Sequence, residues 1–173
     1  MPPSRRFAPL VAAVVGVFAA ACIKVPMPPP GGTAYDILCP VVGTVTFTND
    51  WHAPRSGGTL HEGTDLMAPR GTPSVAVADG KIRWAVGAKS GYAIWLEDED
   101  DNEYFYAHFD SWAHPDAAVG SKRDVVAGEV IGYIGDTGNA VGTPHVHFEI
   151  HPDGKDAVNP YPTMYAECTD RTE

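Results

Sequence analysis

The chain has 173 residues, enough for one domain and a leader, and carries 12 basic against 22 acidic residues, a formal net charge of −10. This charge argues against nucleic acid or an anionic membrane surface as the main partner, because both repel an acidic protein. Eighteen glycines and sixteen prolines indicate many turns and few long helices.

The N-terminal residues have the pattern of a secretory signal. Arg5 and Arg6 precede an apolar run from Leu10 to Ala21, which is shorter than the roughly 20 residues that a membrane-spanning helix needs. Small residues stand directly before Cys22, as at a bacterial lipoprotein cleavage site, and plain signal-peptide cleavage is the alternative. We therefore expect residues 1–21 to be a signal peptide. The mature protein would be a lipoprotein anchored at Cys22 in the cell envelope or periplasm, or a secreted protein.

The rest of the chain divides by composition into a linker, one domain and a tail. Residues 22–38 are rich in proline and glycine and predict a linker, residues 39–168 predict the folded domain, and residues 169–173 a C-terminal tail. Cys39 and Cys168 stand near the two ends of the domain. In an exported protein, which meets an oxidising compartment, they are a candidate disulfide.

Short strands at close spacing follow in chain order. Alternating apolar residues predict a strand over Val41–Thr48, a hairpin over Ser74–Val86, a second hairpin from Tyr92–Leu96 and Glu103–Phe109, and a glycine-broken strand over Val125–Ile134. No amphipathic helix of three or more turns is predicted. The pattern favours an all-β fold, an antiparallel sandwich or barrel-like hybrid with few or no helices.

Two short stretches carry candidate metal ligands. In Pro144–Ile150, apolar residues alternate with polar ones, which predicts a strand with His145 and His147 on one face. In the other stretch, Gly63 disfavours a helix, and an extended segment would place His61 and Asp65 on one face as well. Two imidazoles and a carboxylate suit zinc, with a fourth position left for water.

A third stretch, Tyr104-Phe105-Tyr106-Ala107-His108, ends in another histidine. Strict alternation predicts that His108 shares a face with Tyr104 and Tyr106 at the end of a strand. A single histidine at such a place is more often structural than catalytic. His108 becomes a candidate because hydrolysis at a zinc site needs a base.

These motifs together resemble those of the lysostaphin-type (LytM-like) zinc endopeptidases, which cut peptide bonds in bacterial peptidoglycan. The resemblance runs from about Pro40 to Tyr161 and rests on five motifs in order: His61-x-x-x-Asp65, Tyr106-Ala107-His108, Gly132-x-x-Gly135-x-Thr137-Gly138, His145-Val146-His147-Phe148-Glu149 and Asn159-Pro160. It implies a β-rich sandwich with the active site in a groove.

The resemblance also implies a role for each site residue. One Zn²⁺ would be held by His61, Asp65 and His147, and His145 and His108 would be catalytic histidines that do not bind the metal. One of them would take a proton from water and the other would hold the oxyanion, and the sequence leaves open which does which. The expected partners are peptidoglycan peptides, and the sequence gives no oligomeric state.

Three other interpretations have weaker support. Some LytM-like domains lack zinc ligands and act as peptidoglycan-binding modules that activate a cell-wall amidase, whereas all three matching ligands stand here. Glu62 could act as the base of a helical His-Glu-x-x-His motif, but Gly63 and the missing second histidine oppose it. The acidic run from Asp98 lacks the glycine and terminal glutamate of a calcium loop. His151, on the His147 face, is a reserve ligand.

Overall fold

The computed structural model describes residues 33–169, so the predicted signal peptide and Cys22 lie outside the described residues. Within that range no helix is long and apolar enough to cross a membrane. The described chain is mostly strand, which confirms the prediction of an all-β fold with few helices. Its elements are β1 Thr64–Met67, β2 Pro73–Val75, β3 Gly80–Gly87, β4 Gly91–Asp98, β5 Glu103–Trp112, β6 Lys122–Val125, β7 Val130–Ile134, β8 His145–His151, a 3-10 turn Pro152–Gly154 and α1 Tyr161–Thr169.

All eight strands belong to one antiparallel sheet, and β5 lies at its centre. The first half of β5 pairs with β4 on one side and β8 on the other, and its last residues pair with β7. The sheet continues from β8 to β1, from β4 through β3 to β6, and from β7 to β2. This order places β1, β8 and β5 side by side, and these strands hold or adjoin the three histidine stretches.

The two faces of β8 have different surroundings. Val146, Phe148 and Ile150 are fully buried in the core, whereas His145 and His147 lie on the opposite face. Alternation along a strand produces this division, and it confirms the predicted common face of the two histidines. The apolar side chains of the other strands join the same core, among them Leu66, Ile82, Ile94, Leu96, Tyr104 and Tyr106.

The structure confirms one predicted hairpin and corrects the other. β4 and β5 pair directly across the acidic turn between them. The hairpin predicted for Ser74–Val86 is wrong, because β2 pairs with β7 while β3 pairs with β4 and β6. Turn residues show where a strand ends, but the partner of each strand depends on contacts with distant residues.

The strand predicted for Val41–Thr48 is also wrong. This segment makes isolated bridges at Val41 to Ser74 and at Thr46 to Met67, which belong to two different strands. Gly43, between the two bridges, has a φ of 87°, in the left-handed region that interrupts extended backbone. The segment therefore crosses from one sheet neighbour to another and forms no continuous ladder.

Cys39 and Cys168 form a disulfide with a Cα–Cα distance of 5.1 Å, which confirms the predicted pairing. Cys39 is a core residue near the start of the domain and Cys168 lies in α1, so the bond ties the two ends of the domain together. Ile37 is buried in the core, and the N–H of Leu38 donates to the carbonyl of Val77. The folded part thus includes residues just before Cys39.

Candidate metal centre

Three side chains converge at the junction of β1 and β8. His61 Nε2, Asp65 Oδ1 and His147 Nδ1 are separated by 3.0 Å, 2.9 Å and 2.9 Å, and we call this group the His–Asp–His triangle. Asp65 and His147 are direct cross-strand partners in the β1–β8 ladder. His61 lies three residues before β1, and the bend at Gly63 turns its ring towards the other two.

The donor set of the triangle fits a metal ion. The three residues are the one His, Cys, Asp and Glu group among residues 33–169 whose ligand atoms lie close enough to hold a metal ion. In tetrahedral zinc, bonds of about 2.0–2.1 Å place ligand atoms about 3.3 Å apart, and the triangle is slightly tighter than that. Two imidazole nitrogens and a carboxylate oxygen also match the ligands that zinc prefers.

The two histidines of the triangle use opposite ring nitrogens, because their other nitrogens face carboxylates. His147 Nε2 is 2.8 Å from Glu149 Oε1, which leaves Nδ1 for the triangle. His61 Nδ1 is 3.1 Å from Asp50 Oδ2 and 3.3 Å from the backbone carbonyl oxygen of Asp50, its hydrogen-bond partner, which leaves Nε2. Such outer carboxylates fix the tautomer and orientation of a ligand ring.

The charges at the triangle favour ionised carboxylates. Burial raises the pKa of Asp65, but hydrogen bonds with His147 and His61 outweigh it and hold that pKa well below its ordinary value. Burial likewise opposes ionisation of Glu149, while hydrogen bonds with His147 and His151 lower its pKa to about 2. In the metal-free protein, burial lowers the pKa of His147, and its two carboxylate partners more than reverse this, raising it to about 9.

Arg55 connects the inner and outer carboxylates. Its guanidinium donates to Asp50 Oδ2 at 2.9 Å and to Asp65 Oδ2 at 2.7 Å. Asp65 Oδ2 is therefore occupied by Arg55 while Oδ1 faces the two histidines. The bridge orients the carboxylate so that one oxygen is available for a single metal bond.

Gly63 is required by the close approach of β8. A Cβ at this position would lie 2.6 Å from His147 Cε1 and 2.6 Å from the carbonyl oxygen of Phe148. Real Cβ atoms do not come this close, so any larger residue would push His147 out of the triangle. The glycine that disfavours a helix in the sequence thus also makes room for the second histidine.

His145 and His108 lie beside the triangle with the same tautomer. His145 Nδ1 is 2.7 Å from the carbonyl oxygen of Thr143, and His108 Nδ1 is 2.8 Å from that of Thr137. A carbonyl accepts only, so each Nδ1 carries a proton, and a ring that is neutral presents a lone pair at Nε2. The ring centroids of the two histidines are 4.8 Å apart. His145 Nε2 lies 3.6 Å from Asp65 Oδ1.

His108 reaches this side of the sheet through a β-bulge, so the prediction that it shares a face with Tyr104 and Tyr106 is wrong. Ala107 and His108 together stand opposite the single residue Ala93 of β4, and His108 has a φ of 69°. The extra residue reverses the alternation at the end of the strand. Both tyrosines remain in the core, while His108 lines the groove.

The surroundings of His108 keep its ring neutral. Burial lowers the pKa of His108 to about 4, and the hydrogen bond with Thr137 opposes this only partly. His108 is 8% exposed, and its ring lies close to the two β8 histidines His145 and His147. At neutral pH its Nε2 is therefore a proton acceptor rather than a donor.

The triangle opens into a groove of about 400 Å³. One wall comes from the segment before β1 and the other from the turns that precede β4 and β8. The open side above the triangle offers room for a fourth ligand or a substrate. The lining residues are Arg55, Ser56, Thr59, Leu60, His61, Glu62, Asp65, Lys89, Ser90, Phe105, Ala107, His108, Asn139, Ala140, His145, His147 and Glu149.

The remaining candidates from the sequence take other places. Glu62 is exposed on the groove wall, outside the triangle. His151, the reserve ligand, is hydrogen-bonded through Nε2 to Glu149 Oε2 at 2.7 Å. The carboxylate of Glu149 therefore lies between His151 and His147. The supporting roles of Asp50 and Glu149 were not predicted. Alternation could have indicated Glu149, which is two residues from His147 on the same strand face, but nothing in the sequence indicates Asp50.

A family model described as Peptidase family M23 matches residues 59–160, more than half of the chain. The chain belongs to peptidase family M23. The matched residues include the whole triangle and both neighbouring histidines. The match confirms the resemblance to the lysostaphin-type (LytM-like) family that the sequence motifs indicate.

Two curated relatives of the M23 domain have different names. DD-carboxypeptidase/endopeptidase Mpg of Neisseria meningitidis serogroup B is 40% identical over 103 residues, which cover 58% of this chain and 22% of that protein. Murein hydrolase activator NlpD of Escherichia coli K12 is 31% identical over 128 residues, which cover 68% of this chain and 32% of that protein. The chain therefore spans less than a third of the length of either relative.

Among solved structures, the M23 fold is similar to the catalytic domain of the antimicrobial peptidase lysostaphin from Staphylococcus simulans. The two superpose with a TM-score of 0.56 and 28% identity, over 68% of this chain and 90% of that one. The groove thus belongs to a fold that carries peptidase activity in a relative.

Proposed function

We propose that this protein is a zinc-dependent endopeptidase that hydrolyses peptide bonds in bacterial peptidoglycan. The observation that carries the proposal is the complete His–Asp–His triangle, with two further histidines beside it in one groove. A binding module would need neither ligand atoms at these distances nor two buried imidazoles with free Nε2 positions. The M23 membership and the peptidase names of two relatives support the same reaction.

In this proposal the triangle holds one Zn²⁺ through His61 Nε2, Asp65 Oδ1 and His147 Nδ1. When bound, zinc supplies a Lewis acid that lowers the pKa of water to about 7 and polarises a carbonyl. Arg55 keeps Asp65 oriented, since it occupies the carboxylate oxygen that faces away from the histidines. Glu149 performs the corresponding task for His147.

His145 and His108 move the proton. In its neutral form each ring accepts at Nε2, so either can take the proton of the attacking water as general base. Once protonated, the same Nε2–H can donate to the oxyanion or to the leaving amine. The carbonyls of Thr143 and Thr137 hold the rings in place throughout, because their bonds to Nδ1 are present in both protonation states.

Metal content and hydrolysis test the proposal together. Purified protein loaded with one equivalent of zinc should release soluble fragments from peptidoglycan, and mass spectrometry should show that peptide bonds are cut. A chelator should abolish the release and added zinc should restore it. Protein that binds zinc, is folded by circular dichroism and leaves every peptide bond intact would contradict the proposal.

The relation to a murein hydrolase activator supports a second candidate, a domain that stimulates a separate amidase. The two functions differ in their need for the triangle. An activator should stimulate a purified cell-wall amidase equally well with and without the substitution His147→Ala. A peptidase should lose its own hydrolysis with that substitution.

We further propose that the protein is exported and acts in the cell envelope. Residues 1–21 would be removed as a signal peptide and Cys22 would carry a lipid. Within the predicted linker 22–38, the residues before the buried Ile37 would form the tether, followed by residues 39–168 as peptidase domain and 169–173 as tail. A relative named as a murein hydrolase activator supports an envelope location. Metabolic labelling with a fatty acid should mark the wild-type chain and fail with Cys22→Ala. Unchanged labelling of that variant would contradict lipidation at this residue.

A further inference from the structure

Two cations line the groove, and they differ in their partners. Arg55 pairs with Asp50 and Asp65 and is part of the metal centre. Lys89 is exposed, and no carboxylate among residues 33–169 forms an ion pair with it. Elsewhere in that range most cations are paired, namely Arg70, Lys81, Lys122, Arg123 and Lys155. In a chain with a formal charge of −10, an unpaired cation in the groove is available to a ligand.

The backbone that carries Lys89 is fixed next to the catalytic histidines. The carbonyl of Lys89 accepts the N–H of Asn139 at 2.9 Å, and that of Ser90 accepts the N–H of His108 at 2.8 Å. A Cβ on Gly138 would lie 2.1 Å from the Lys89 carbonyl oxygen, so the two loops are in close contact. The side chain of Lys89 therefore starts from a rigid turn directly beside His108.

The acids of the groove do not neutralise Lys89. Asp65 is held by Arg55 and the two histidines of the triangle, and Glu149 is held by His147 and His151. Glu62 is exposed on the wall and forms no ion pair within the described residues. Lys89 thus contributes an exposed positive charge, without an ion-pair partner among the described residues, to the wall of the groove that holds the histidines.

We propose that Lys89 binds the free C-terminal carboxylate of the substrate, and that it is the residue which would give this groove the carboxypeptidase activity for which the Neisseria relative is named. This inference rests on the proposed function. The backbone of an interior peptide segment presents only neutral amides beyond the scissile bond, whereas a C-terminal residue presents a full negative charge there. A cation beside the reacting groups distinguishes the two.

The reaction is ordinary amide hydrolysis at the last peptide bond. The water oxygen bonds to the carbonyl carbon, the C–N bond breaks, and the protons of water go to the leaving nitrogen and the solvent. The products are a shortened peptide with a new carboxylate and one free amino acid. Lys89 takes no part in the proton transfers and acts as a specificity-determining residue.

One peptide in two forms tests this role. A peptide that ends in D-Ala-D-Ala is prepared with a free C-terminal carboxylate and with a C-terminal amide, and kcat/KM is measured for both with the zinc-loaded full-length protein. Wild type should prefer the free acid by about 10- to 100-fold, the usual worth of a hydrogen bond to a charged group. Lys89→Met should lose most of this preference, and Lys89→Arg should retain it.

Lys155→Met is the matched control, because it removes the same charge from an exposed lysine whose partner, Asp153, lies outside the groove. It should leave the preference unchanged. If Lys89→Met lowers hydrolysis of both peptides equally, or if it leaves the preference intact, the proposal is overturned. Calorimetry of the His145→Ala protein with each of the two peptides measures the same preference as binding, because this variant is expected to turn the peptides over slowly. If wild type hydrolyses neither peptide, the proposed function is contradicted. The calorimetric comparison of the two peptides still decides whether Lys89 binds the carboxylate.

Discussion

Asp65 and His147 lie directly opposite each other in the β1–β8 ladder, and Asp65 Oδ1 is 2.9 Å from His147 Nδ1. Two of the three candidate ligands are thus set by a single cross-strand register. A slip of one residue would move Asp65 to the core face and separate the pair. The apolar residues next to them, Leu66 and Val146, fix that register because both are fully buried.

Substitution of the β8 histidines should separate metal binding from catalysis. His147→Ala removes a ligand, so zinc and activity should both be lost. His145→Ala and His108→Ala leave the triangle complete, so zinc should remain while the rate falls by roughly 10²–10⁴, the usual worth of general acid–base catalysis. The measurements are zinc content and peptidoglycan hydrolysis of each purified variant.

Circular dichroism of the same variants provides the folding control. Loss of zinc in His145→Ala together with retention in His147→Ala would reverse the assignment of these two residues. Full activity together with full zinc content in both His145→Ala and His147→Ala would show that the reaction takes place elsewhere in the protein.

Glu149→Gln should weaken zinc binding without removing a ligand. The variant keeps the shape of the side chain but loses the negative charge that faces His147 Nε2 at 2.8 Å. Partners of ligand histidines contribute about 10- to 100-fold to metal affinity, and we expect a loss of this size in a chelator competition. Glu97→Gln is the control, since Glu97 belongs to a surface ion pair with Lys122. Equal affinity in Glu149→Gln and wild type would show that Glu149 does not support the ligand ring.

Removal of the disulfide should destabilise the whole domain. The bond joins residues 129 positions apart, and a loop of this length is worth about 4–5 kcal/mol in the chain-entropy model. The double variant Cys39→Ala, Cys168→Ala should unfold in urea with a free energy lower by about 2–5 kcal/mol. If reduction of the wild-type protein leaves its unfolding curve unchanged, the disulfide contributes nothing to stability.

Alkaline pH should destabilise the fold through Tyr104. Burial and the hydrogen bond to Asp98 Oδ2 raise the pKa of this phenol well above the ordinary value of about 10. The folded state therefore keeps Tyr104 protonated while the unfolded state ionises. Stability is fully present below about pH 10 and declines as the pH rises towards the folded pKa.

The variant Tyr104→Phe tests the alkaline decline. It lacks the titrating group, so its free energy of unfolding should fall less steeply above pH 10 than that of wild type. The exposed Tyr92→Phe should follow the wild-type curve. Parallel curves for wild type and Tyr104→Phe would assign the decline to other groups, such as the fully buried Tyr106, whose pKa is also raised.

The parts of the site that lie within one strand could be predicted from the sequence. His145 and His147 alternate with Val146 and Phe148, and a period of two assigns each residue to a face without knowledge of any partner. The same rule assigned His108 to the core face and was wrong. The bulge opposite Ala93 depends on how β4 and β5 are aligned, which no local pattern contains.

The sequence by itself determined the all-β class, the positions of the three histidine stretches, and the family, because strand periodicity and motif spacing are local properties. Only the tertiary structure decided which atoms meet. The nitrogen that each histidine offers depends on Asp50, Glu149 and the carbonyls of Thr143 and Thr137. These partners come from separate segments that are brought together by strand pairing and by burial of a common core. Such contacts depend on the whole fold, and so do the position of Lys89 beside His108 and the space that Gly63 leaves for His147.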